Sequence, residues 1–250
     1  MSEPLILIPA RMASTRLPGK PLADIHGLAM IVHVWRRAME AKAGRVAVAA
    51  AEQEIADAIT RAGGESILTK PDHPSGSDRV FEAAMKLDPG ARHDVVVNLQ
   101  GDLPTLDPAL VKTVIAPLID PSVDLATLVT EIREPSERTN PNVVKAVLAL
   151  DVAGRQGRAL YFTRATAPWG DGPLFHHIGI YAWRRAALAR FVGLPPSPLE
   201  KQERLEQLRA LEAGMNVAAC VVDAVPLGVD TPEDLARARA ILDPKGRKHS

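Results

Sequence analysis

The feature that most restricts the fold is a set of short apolar runs that alternate with segments of helical periodicity in the first hundred residues. Such runs are typical of strands buried on both faces of a parallel sheet, and apolar residues three and four apart indicate helices. The pattern predicts an α/β protein whose core is a mostly parallel, doubly wound, Rossmann-like sheet. The predicted strands are 5–9, 46–50 and 94–99, and the predicted helices are 30–38, 55–62 and 78–87.

The pattern changes near residue 124. Strand-like segments then follow one another with few helical stretches between them, which indicates an antiparallel β insertion. We therefore predict an α/β core formed by 1–123 and 191–250, with a β-rich insertion over 124–190. Later elements are a single helix over 199–213, a strand over 217–222, a last helix capped by Asp230 or Thr231, and a polar tail from 243 that is expected to fray.

Composition excludes several classes of protein. The 250 residues contain 30 Lys and Arg and 30 Asp and Glu, so the chain has no basic surplus for binding nucleic acid or an anionic membrane. No apolar run approaches the ~18 residues of a membrane helix, and the N-terminus lacks the basic segment of a signal peptide. The single Cys220 excludes an internal disulfide and suits a buried apolar position. We expect a cytoplasmic protein that binds no nucleic acid and does not insert into membranes.

A loop with phosphate-binding character follows the first predicted strand. Residues 9–20, PARMASTRLPGK, combine Arg11, Arg16 and Lys20 with serine and glycine. Ligands of open α/β sheets bind at the carboxyl ends of strands, and backbone amides with nearby cations hold phosphate oxygens. The spacing matches neither GxxxxGK[ST] nor GxGxxG, so a P-loop and a dinucleotide fingerprint are both excluded. The alternative is a solvated basic loop.

Two aspartates are candidates for a metal site. Asp102 ends the buried run NLQGD, and Asp230 lies in GVDTPED. Mg²⁺ is usually bound by one or two carboxylates together with substrate phosphates, so two such strand ends could form its site. Each aspartate could instead cap a helix. Asp107 is better placed than Asp102 to cap the following helix, whereas Asp230 taken alone favours a cap.

Polar residues in the β-rich region form another candidate site. Arg164 suits bidentate binding of a carboxylate. His176 and His177 would point to opposite faces of a strand, so they form no two-histidine metal site. His177 and Tyr181 could equally be polar members of a β core. Farther along the chain, Glu200, Glu203 and Gln207 have the spacing of one helical face, which is usually solvated.

Six sequence blocks occur in this order between residue 5 and about residue 240: IPARMASTRLPGKPL, NLQGDLP, ALYFTRATAPW, HHIGIYAWRR, PSPLEKQERLEQLRALEAG and GVDTPEDLARARA. Together they resemble the 3-deoxy-manno-octulosonate cytidylyltransferase (CMP-Kdo synthetase) family. The resemblance implies a Rossmann-like nucleotidyltransferase core with a β-rich insertion that helps to form a homodimer. It implies transfer of CMP from CTP to the anomeric hydroxyl of the eight-carbon acid sugar Kdo, with release of pyrophosphate, for lipopolysaccharide synthesis.

The same resemblance implies roles for single residues. Asp102 and Asp230 match the Mg²⁺-binding aspartates, and Arg11 and Lys20 match triphosphate-binding positions; these four are the expected catalytic residues. The other expected nucleotide-binding residues are Ala10, Ser75, Gly76, Arg79 and Gln100. The expected sugar-acid pocket consists of Gln100, Arg164, His177, Tyr181, Glu200 and Gln207, with Arg164 binding the carboxylate.

Two departures from the family pattern leave alternatives open. Where the family usually has Ala-Thr-Asp and an acidic residue, this chain has Ala49-Ala50-Ala51-Glu52, and Leu103 replaces a glutamate after Asp102. The alternatives are a cytidylyltransferase for a related acid sugar, such as 8-amino-Kdo or a nonulosonate, and a nucleotide-binding module without activity. Retention of both candidate metal carboxylates favours catalysis.

Overall fold

The computed structural model describes residues 2–223 and 225–243, which form two compact units. We call them the N-terminal unit (2–93, 98–112 and 226–243) and the central unit (94–97, 113–223 and 225). Most of the tail for which fraying is expected lies outside the described residues. Within the described ranges, no helix has both the length and the apolar character needed to cross a membrane.

The elements are numbered in chain order. The strands are β1 (Leu5–Ala10), β2 (Asp24–Ile25), β3 (Leu28–Ala29), β4 (Arg45–Ala50), β5 (Glu65–Leu68), β6 (Val95–Asn98), β7 (Leu125–Glu131), β8 (Lys145–Leu150), β9 (Gln156–Thr163), β10 (Phe175–Arg184) and β11 (Val217–Val222). The helices are α1 (Met30–Glu40), α2 (Gln53–Arg61), α3 (Gly76–Leu87), α4 (Ala109–Ile115), α5 (Pro135–Arg138), α6 (Arg185–Val192), α7 (Pro198–Glu203), α8 (Gln207–Glu212) and α9 (Pro232–Ile241). Two short 3-10 segments are Lys20–Leu22 and Ala116–Ile119.

The N-terminal unit has the predicted alternation of strands and helices. β1 pairs with β4 and β4 pairs with β5, both in parallel, and helices connect the strands. The side chains from Leu5 to Ile8 in β1 are fully buried, and each contributes roughly 1.5–3 kcal/mol of hydrophobic stabilisation. The small β2–β3 hairpin was not predicted. Its turn has His26 and Gly27 at positive φ.

Backbone contacts bring two distant segments of this unit together. The N–H of Leu99 donates to the carbonyl of Leu7, so the chain after β6 follows β1. The next turn passes so close to β1 that a Cβ on Gly101 would lie 2.6 Å from the Pro9 carbonyl oxygen. The N–H of Val229 donates to the carbonyl of Asp102 at 2.9 Å. This bond fixes the segment before α9 beside Asp102, in the turn that follows β6.

A small apolar cluster fixes α9 in the same unit. Val229, Leu235 and Ala238 pack with Ile25 and Met30, and all five are buried. The guanidinium of Arg239 also donates to the Asp24 carbonyl from both Nε and Nη2, at 2.9 and 2.7 Å. The apolar packing and these two hydrogen bonds hold α9 in place, so the residues at its start keep a defined position.

The central unit contains a mixed sheet with the strand order β6-β10-β7-β11-β9-β8. β10 is antiparallel to β7, β11 is parallel to β7, and β9 is antiparallel to both β11 and β8. The predicted β-rich insertion, 124–190, lies inside this unit, which also includes the later elements through β11. The register of β10 on β7 shifts between Ile178 and Tyr181.

Two expectations for the last third of the chain are wrong. The single helix predicted over 199–213 is two helices, because Arg204 adopts a left-handed conformation (φ 56°, ψ 47°) that ends α7, and α8 begins only at Gln207. The expected solvated face is wrong as well, since Gln207 is buried. In addition, α6 begins directly where β10 ends and was not predicted.

The close approach of Gly101 to β1 can be tested by substitution. Gly101→Ala is expected to lower the free energy of unfolding by roughly 1–3 kcal/mol, because the new Cβ overlaps a backbone oxygen that cannot move freely. Urea denaturation measures the effect. Gly172→Ala is the matched control, since a Cβ there meets no atom within 4 Å. Equal denaturation midpoints for the two variants would contradict the inferred overlap.

Candidate active site

The N-terminal unit contains a cavity of about 700 Å³ at the carboxyl end of β1. Its wall is formed by the loop after β1, by the start of α3 and by the two candidate metal aspartates. All predicted nucleotide-binding residues of this unit line it. They are Ala10, Arg11, Lys20, Ser75, Gly76, Arg79 and Gln100, and they meet Asp102 and Asp230 there.

The ammonium of Lys20 joins the two aspartates. Its Nζ lies 2.9 Å from Oδ2 of Asp102 and 2.9 Å from Oδ1 of Asp230. Burial pulls the pKa of Lys20 down, but the two carboxylates outweigh burial and the net shift is upward. Burial likewise raises the pKa of Asp230, yet Lys20 and Arg16 outweigh it and the pKa falls. Two aspartates that lie 128 residues apart in the sequence therefore contact the same cation.

Neighbouring residues, rather than Asp102 and Asp230 themselves, cap the nearby helices. Thr231 is the N-cap of α9, and Asp234 completes a capping box with it. The carboxylate of Asp230 is therefore left for Lys20 and Arg16. At α4, Asp107 Oδ1 accepts the N–H of Ala109 at 2.9 Å, as expected from its position.

The predicted nucleotide-binding arginines differ in their contacts. Arg11 is exposed, and its guanidinium has no hydrogen-bond partner among residues 2–223 and 225–243. Arg79 is 3% exposed and donates to Thr69 Oγ1, to the Lys70 carbonyl and to the Pro71 carbonyl at 2.6, 2.8 and 3.1 Å. Arg11 is thus available for an anion, whereas Arg79 braces the loop that leads into α3.

Ser75 and Gly76 form the start of α3 at the cavity wall. Ser75 is the N-cap, and its hydroxyl oxygen accepts the N–H of Asp78. Gly76 is the first helical residue. The N-terminus of this 12-residue helix therefore lies at the cavity, where its dipole favours an anion.

His73 also lines the cavity, although it was not among the residues predicted from the sequence. Its Nε2 pairs with the carboxylate of Glu82, which also accepts the N–H of Lys70 and the ammonium of Lys86. Burial raises the pKa of Glu82, but these donors outweigh it and lower the pKa to about 2. The only signal in the sequence was the position of His73, two residues before the SGSDR segment.

The two departures from the family pattern have local structural roles. Glu52 Oε2 accepts the N–H of Met12 at 2.9 Å, so this carboxylate holds the loop that follows β1. Ala51 N–H donates to the Ala10 carbonyl at 2.9 Å and extends the β1–β4 pairing by one bond. Leu103 is buried. The role of Glu52, which the sequence alone leaves open, is therefore to position this loop.

Three of the predicted sugar-acid residues meet in the central unit. His177 Nδ1 accepts from Gln207 Nε2 at 3.4 Å, so the ring proton is on Nε2 and is directed to Thr127 Oγ1 at 3.0 Å. The rings of His177 and Tyr181 lie 5.6 Å apart. Burial, with the nearby His176, lowers the pKa of His177 to about 3, and burial raises that of Tyr181. Both groups are therefore neutral near pH 7.

Arg164 is held by the turn between α7 and α8. Its Nε donates to the Glu203 carbonyl at 2.8 Å, Nη1 to the Pro141 carbonyl at 3.0 Å and Nη2 to the Arg204 carbonyl at 3.4 Å. A guanidinium has five N–H groups. Two of them therefore have no partner within the described part of the chain, which suffices for one carboxylate.

Glu200, the remaining predicted sugar-acid residue of this unit, forms a separate ion pair. Its carboxylate accepts from Arg209 Nη2 and Nε at 2.5 and 2.8 Å and also accepts the N–H of Ser197. Arg209 in turn stacks on Phe191, with 4.6 Å between its guanidinium carbon and the ring centroid. Glu200 thus caps α7 and joins it to α8.

Comparison with known proteins identifies the class and then the family. A family profile described as cytidylyltransferase matches residues 5–217, so the chain is a nucleotidyltransferase of the cytidylyltransferase class. The 3-deoxy-manno-octulosonate cytidylyltransferase of Parvibaculum lavamentivorans is 67% identical over 96% of this chain and 93% of its own length. That of Rhodospirillum centenum is 66% identical over 97% and 95%. The chain belongs to the 3-deoxy-manno-octulosonate cytidylyltransferase family, which confirms the resemblance seen in the sequence.

A solved structure agrees with this assignment. The structure described as CMP:2-keto-3-deoxy-manno-octonic acid synthetase complexed with CTP is 39% identical to this chain. It matches with a TM-score of 0.89 over 98% of this chain and 100% of its own. The predicted α/β class is therefore confirmed.

The neutral state of His177 leads to a pH-dependent prediction. The unfolded chain takes up a proton near the ordinary pKa of 6.5, but the folded chain does so only near 3. Stability from this group is therefore complete above pH 6.5 and falls as the pH drops. Between pH 6.5 and 5, the wild type is expected to lose stability relative to His177→Gln by up to about 1.4 kcal/mol per pH unit.

Urea denaturation at several pH values tests this difference. Other titrating groups are common to the two proteins, so their contributions cancel in the comparison. Parallel curves of stability against pH for the wild type and His177→Gln would show that His177 does not titrate as inferred.

Proposed function

We propose that this enzyme transfers CMP from CTP to the anomeric hydroxyl of Kdo, giving CMP-Kdo and pyrophosphate for lipopolysaccharide synthesis. The observation that carries the proposal is the meeting of Asp102 and Asp230 on one cation, in a cavity lined by the loop after β1 and the start of α3. The high identity to relatives named for this activity supports the choice of nucleotide and sugar.

The donor set at the two aspartates fits Mg²⁺. The described residues contain no group of three or more His, Cys, Asp or Glu side chains that could hold a metal, so the protein offers two carboxylates here. Mg²⁺ is commonly held by one or two carboxylates and completed by substrate phosphates. Asp102 and Asp230 already converge on a cationic nitrogen and would hold the ion. Bound there, Mg²⁺ would neutralise charge on the phosphates of CTP.

The chain's own cations and amides position the triphosphate. Arg11 is exposed at the cavity and has no hydrogen-bond partner in the described part of the chain, and Lys20 and Arg16 add two more positive charges. The N-terminal amides of α3, beginning at Gly76, add a partial positive charge. Because phosphoryl-type transfer needs little covalent chemistry from the protein, positioning and charge neutralisation account for the catalysis. The oxygen of the C2 hydroxyl of Kdo forms a bond to the α-phosphorus, and the bond from that phosphorus to pyrophosphate breaks. The hydroxyl proton passes to solvent, and no covalent intermediate with the enzyme forms.

We assign recognition of the acid sugar to the polar residues of the central unit. The two remaining N–H groups of Arg164 bind the carboxylate in this proposal. His177, Gln207 and Tyr181 supply neutral hydrogen-bonding groups for sugar hydroxyls. Glu200 shapes the same region through its ion pair with Arg209.

The quaternary and cellular assignments are also proposals. We propose that the enzyme is a cytoplasmic homodimer with a Rossmann-like core and that the β-rich segment 124–190 carries dimer contacts. The parallel pairing of β1, β4 and β5 supports the core assignment. Exposed apolar side chains in the segment, such as Leu160 (46%) and Trp169 (99%), support an interface there.

Pyrophosphate release tests the proposed function directly. The purified protein is expected to release pyrophosphate from CTP and Kdo only when Mg²⁺ is present. Parallel assays with 8-amino-Kdo and sialic acid measure the sugar preference. The proposed reaction would be rejected if the protein bound CTP but released pyrophosphate in none of the three assays.

Substitution of either candidate metal ligand tests the role of the aspartates. Asp102→Asn and Asp230→Asn are each expected to lower kcat by roughly 10²–10³-fold or more, because the change removes a charge at the phosphates and keeps the shape. Steady-state kinetics measure the loss, and circular dichroism checks the fold. Asp107→Asn, at the cap of α4, is the matched control and is expected to keep its turnover. Near-normal turnover of Asp102→Asn or of Asp230→Asn would overturn the metal assignment.

Arg164→Lys tests the assignment of the sugar carboxylate. Lysine cannot form a bidentate pair with a carboxylate, so KM for Kdo is expected to rise about tenfold with little change in KM for CTP. Arg158→Lys, on the exposed side of β9, is the matched control. A larger change in KM for CTP than for Kdo would move Arg164 to the nucleotide side.

A further inference from the structure

We propose that Lys20 is a built-in placeholder cation. Its ammonium occupies the position between Asp102 and Asp230 that a divalent cation would take, and arrival of a triphosphate releases it. Binding of the divalent cation then depends on prior or simultaneous binding of the nucleotide. The inference rests on the proposed function, because it assumes that these two carboxylates are the metal ligands.

Geometry makes the two cations mutually exclusive. Lys20 Nζ lies 2.9 Å from one oxygen of each aspartate, so it sits between these oxygens. A Mg²⁺ ion bound to the same oxygens at roughly 2.0–2.1 Å must lie between them as well. The ion therefore cannot enter this position until the ammonium has left it, and the carboxylates must then close around the smaller cation.

A second cation adds to the block at Asp230. Arg16 Nη2 lies 2.8 Å from Asp230 Oδ2, the oxygen that Lys20 does not contact. The Arg16 side chain is 65% exposed, whereas that of Lys20 is 16% exposed. Water screens an exposed pair strongly, so the less exposed Lys20 makes the main contribution.

Release of the ammonium needs movement of the Lys20 side chain but not of the Lys20 backbone, which is fixed. Gly19 takes the left-handed conformation (φ 69°) before the short 3-10 segment that begins at Lys20. The Lys20 N–H donates to the Leu17 carbonyl, and its own carbonyl accepts from Ala23, both at 3.1 Å. The four-carbon stem of lysine can rotate about this anchor.

A triphosphate in the cavity provides the alternative partner. Lys20 lines the same cavity as Arg11 and the start of α3, where phosphate oxygens are proposed to bind. Lysine binds phosphate as a flexible point charge, so its ammonium can exchange two carboxylate oxygens for phosphate oxygens. The exchange leaves both carboxylates without their cation at the moment when a phosphate-bound metal arrives. This order prevents a divalent cation from occupying the site without substrate.

Direct binding of Mn²⁺ to the nucleotide-free protein tests the proposal without an activity assay. Free Mn²⁺ is measured by electron paramagnetic resonance during titration of the wild type and of Lys20→Met and Lys20→Gln. Each variant is expected to bind one Mn²⁺ about tenfold or more tightly than the wild type, because the competing state has been removed. Circular dichroism confirms that the variants are folded.

Two controls assign the gain to this site. Lys112→Met removes one positive charge from an exposed position on α4 of the N-terminal unit and is expected to bind Mn²⁺ as weakly as the wild type. Adding Asp102→Asn to Lys20→Met is expected to abolish the gain, because the ion then has one carboxylate fewer.

Three results would overturn the placeholder role. They are Mn²⁺ affinity of the folded Lys20 variants equal to that of the wild type, a gain that survives Asp102→Asn, and tight stoichiometric binding by the nucleotide-free wild type that Asp102→Asn abolishes. If any one of these results appears while the wild type still releases pyrophosphate from CTP and Kdo, the proposed function stands and the placeholder role fails. If the Lys20 variants gain Mn²⁺ affinity but the wild type releases no pyrophosphate, the placeholder role stands and the proposed function fails.

Discussion

The candidate active site depends on one electrostatic contact, the Lys20 ammonium held between Asp102 and Asp230. Two carboxylates near each other repel, and partial burial raises the cost of their charges unless a cation lies close to both. The Lys20 ammonium meets this requirement. The backbone bond from Val229 to Asp102 and the packing of α9 keep the carboxylates in place, so the contact is built into the fold.

Local capping chemistry leaves these carboxylates available. Helix N-termini attract acidic groups, and an aspartate beside a helix start is readily used as a cap. In this chain Thr231 with Asp234 caps α9, and Asp107 bonds to the start of α4. Since neighbours carry out the structural task, Asp102 and Asp230 can serve a ligand. The same logic applies to Glu52, whose carboxylate is used to hold the loop after β1.

The central unit arranges its polar groups in a different way, through neutral hydrogen bonds and backbone carbonyls. Burial keeps His177 uncharged, and its two nitrogens are matched to one donor and one acceptor side chain. Arg164 is oriented by three carbonyl oxygens, which include those at the break between α7 and α8. That break therefore orients a candidate sugar-binding side chain as well as ending a helix.

The sequence by itself determined the alternation of β1, β4 and the helices between them, the family, and most of the polar residues that line the cavity, because periodicity and short motifs are local properties of the chain. The tertiary structure alone decided that Lys20 lies between the two aspartates and that His73 reaches the cavity. It also decided that the helix predicted over 199–213 is interrupted at Arg204. These features depend on contacts between residues far apart in the chain, where the gain from packing and charge pairing outweighs local propensity.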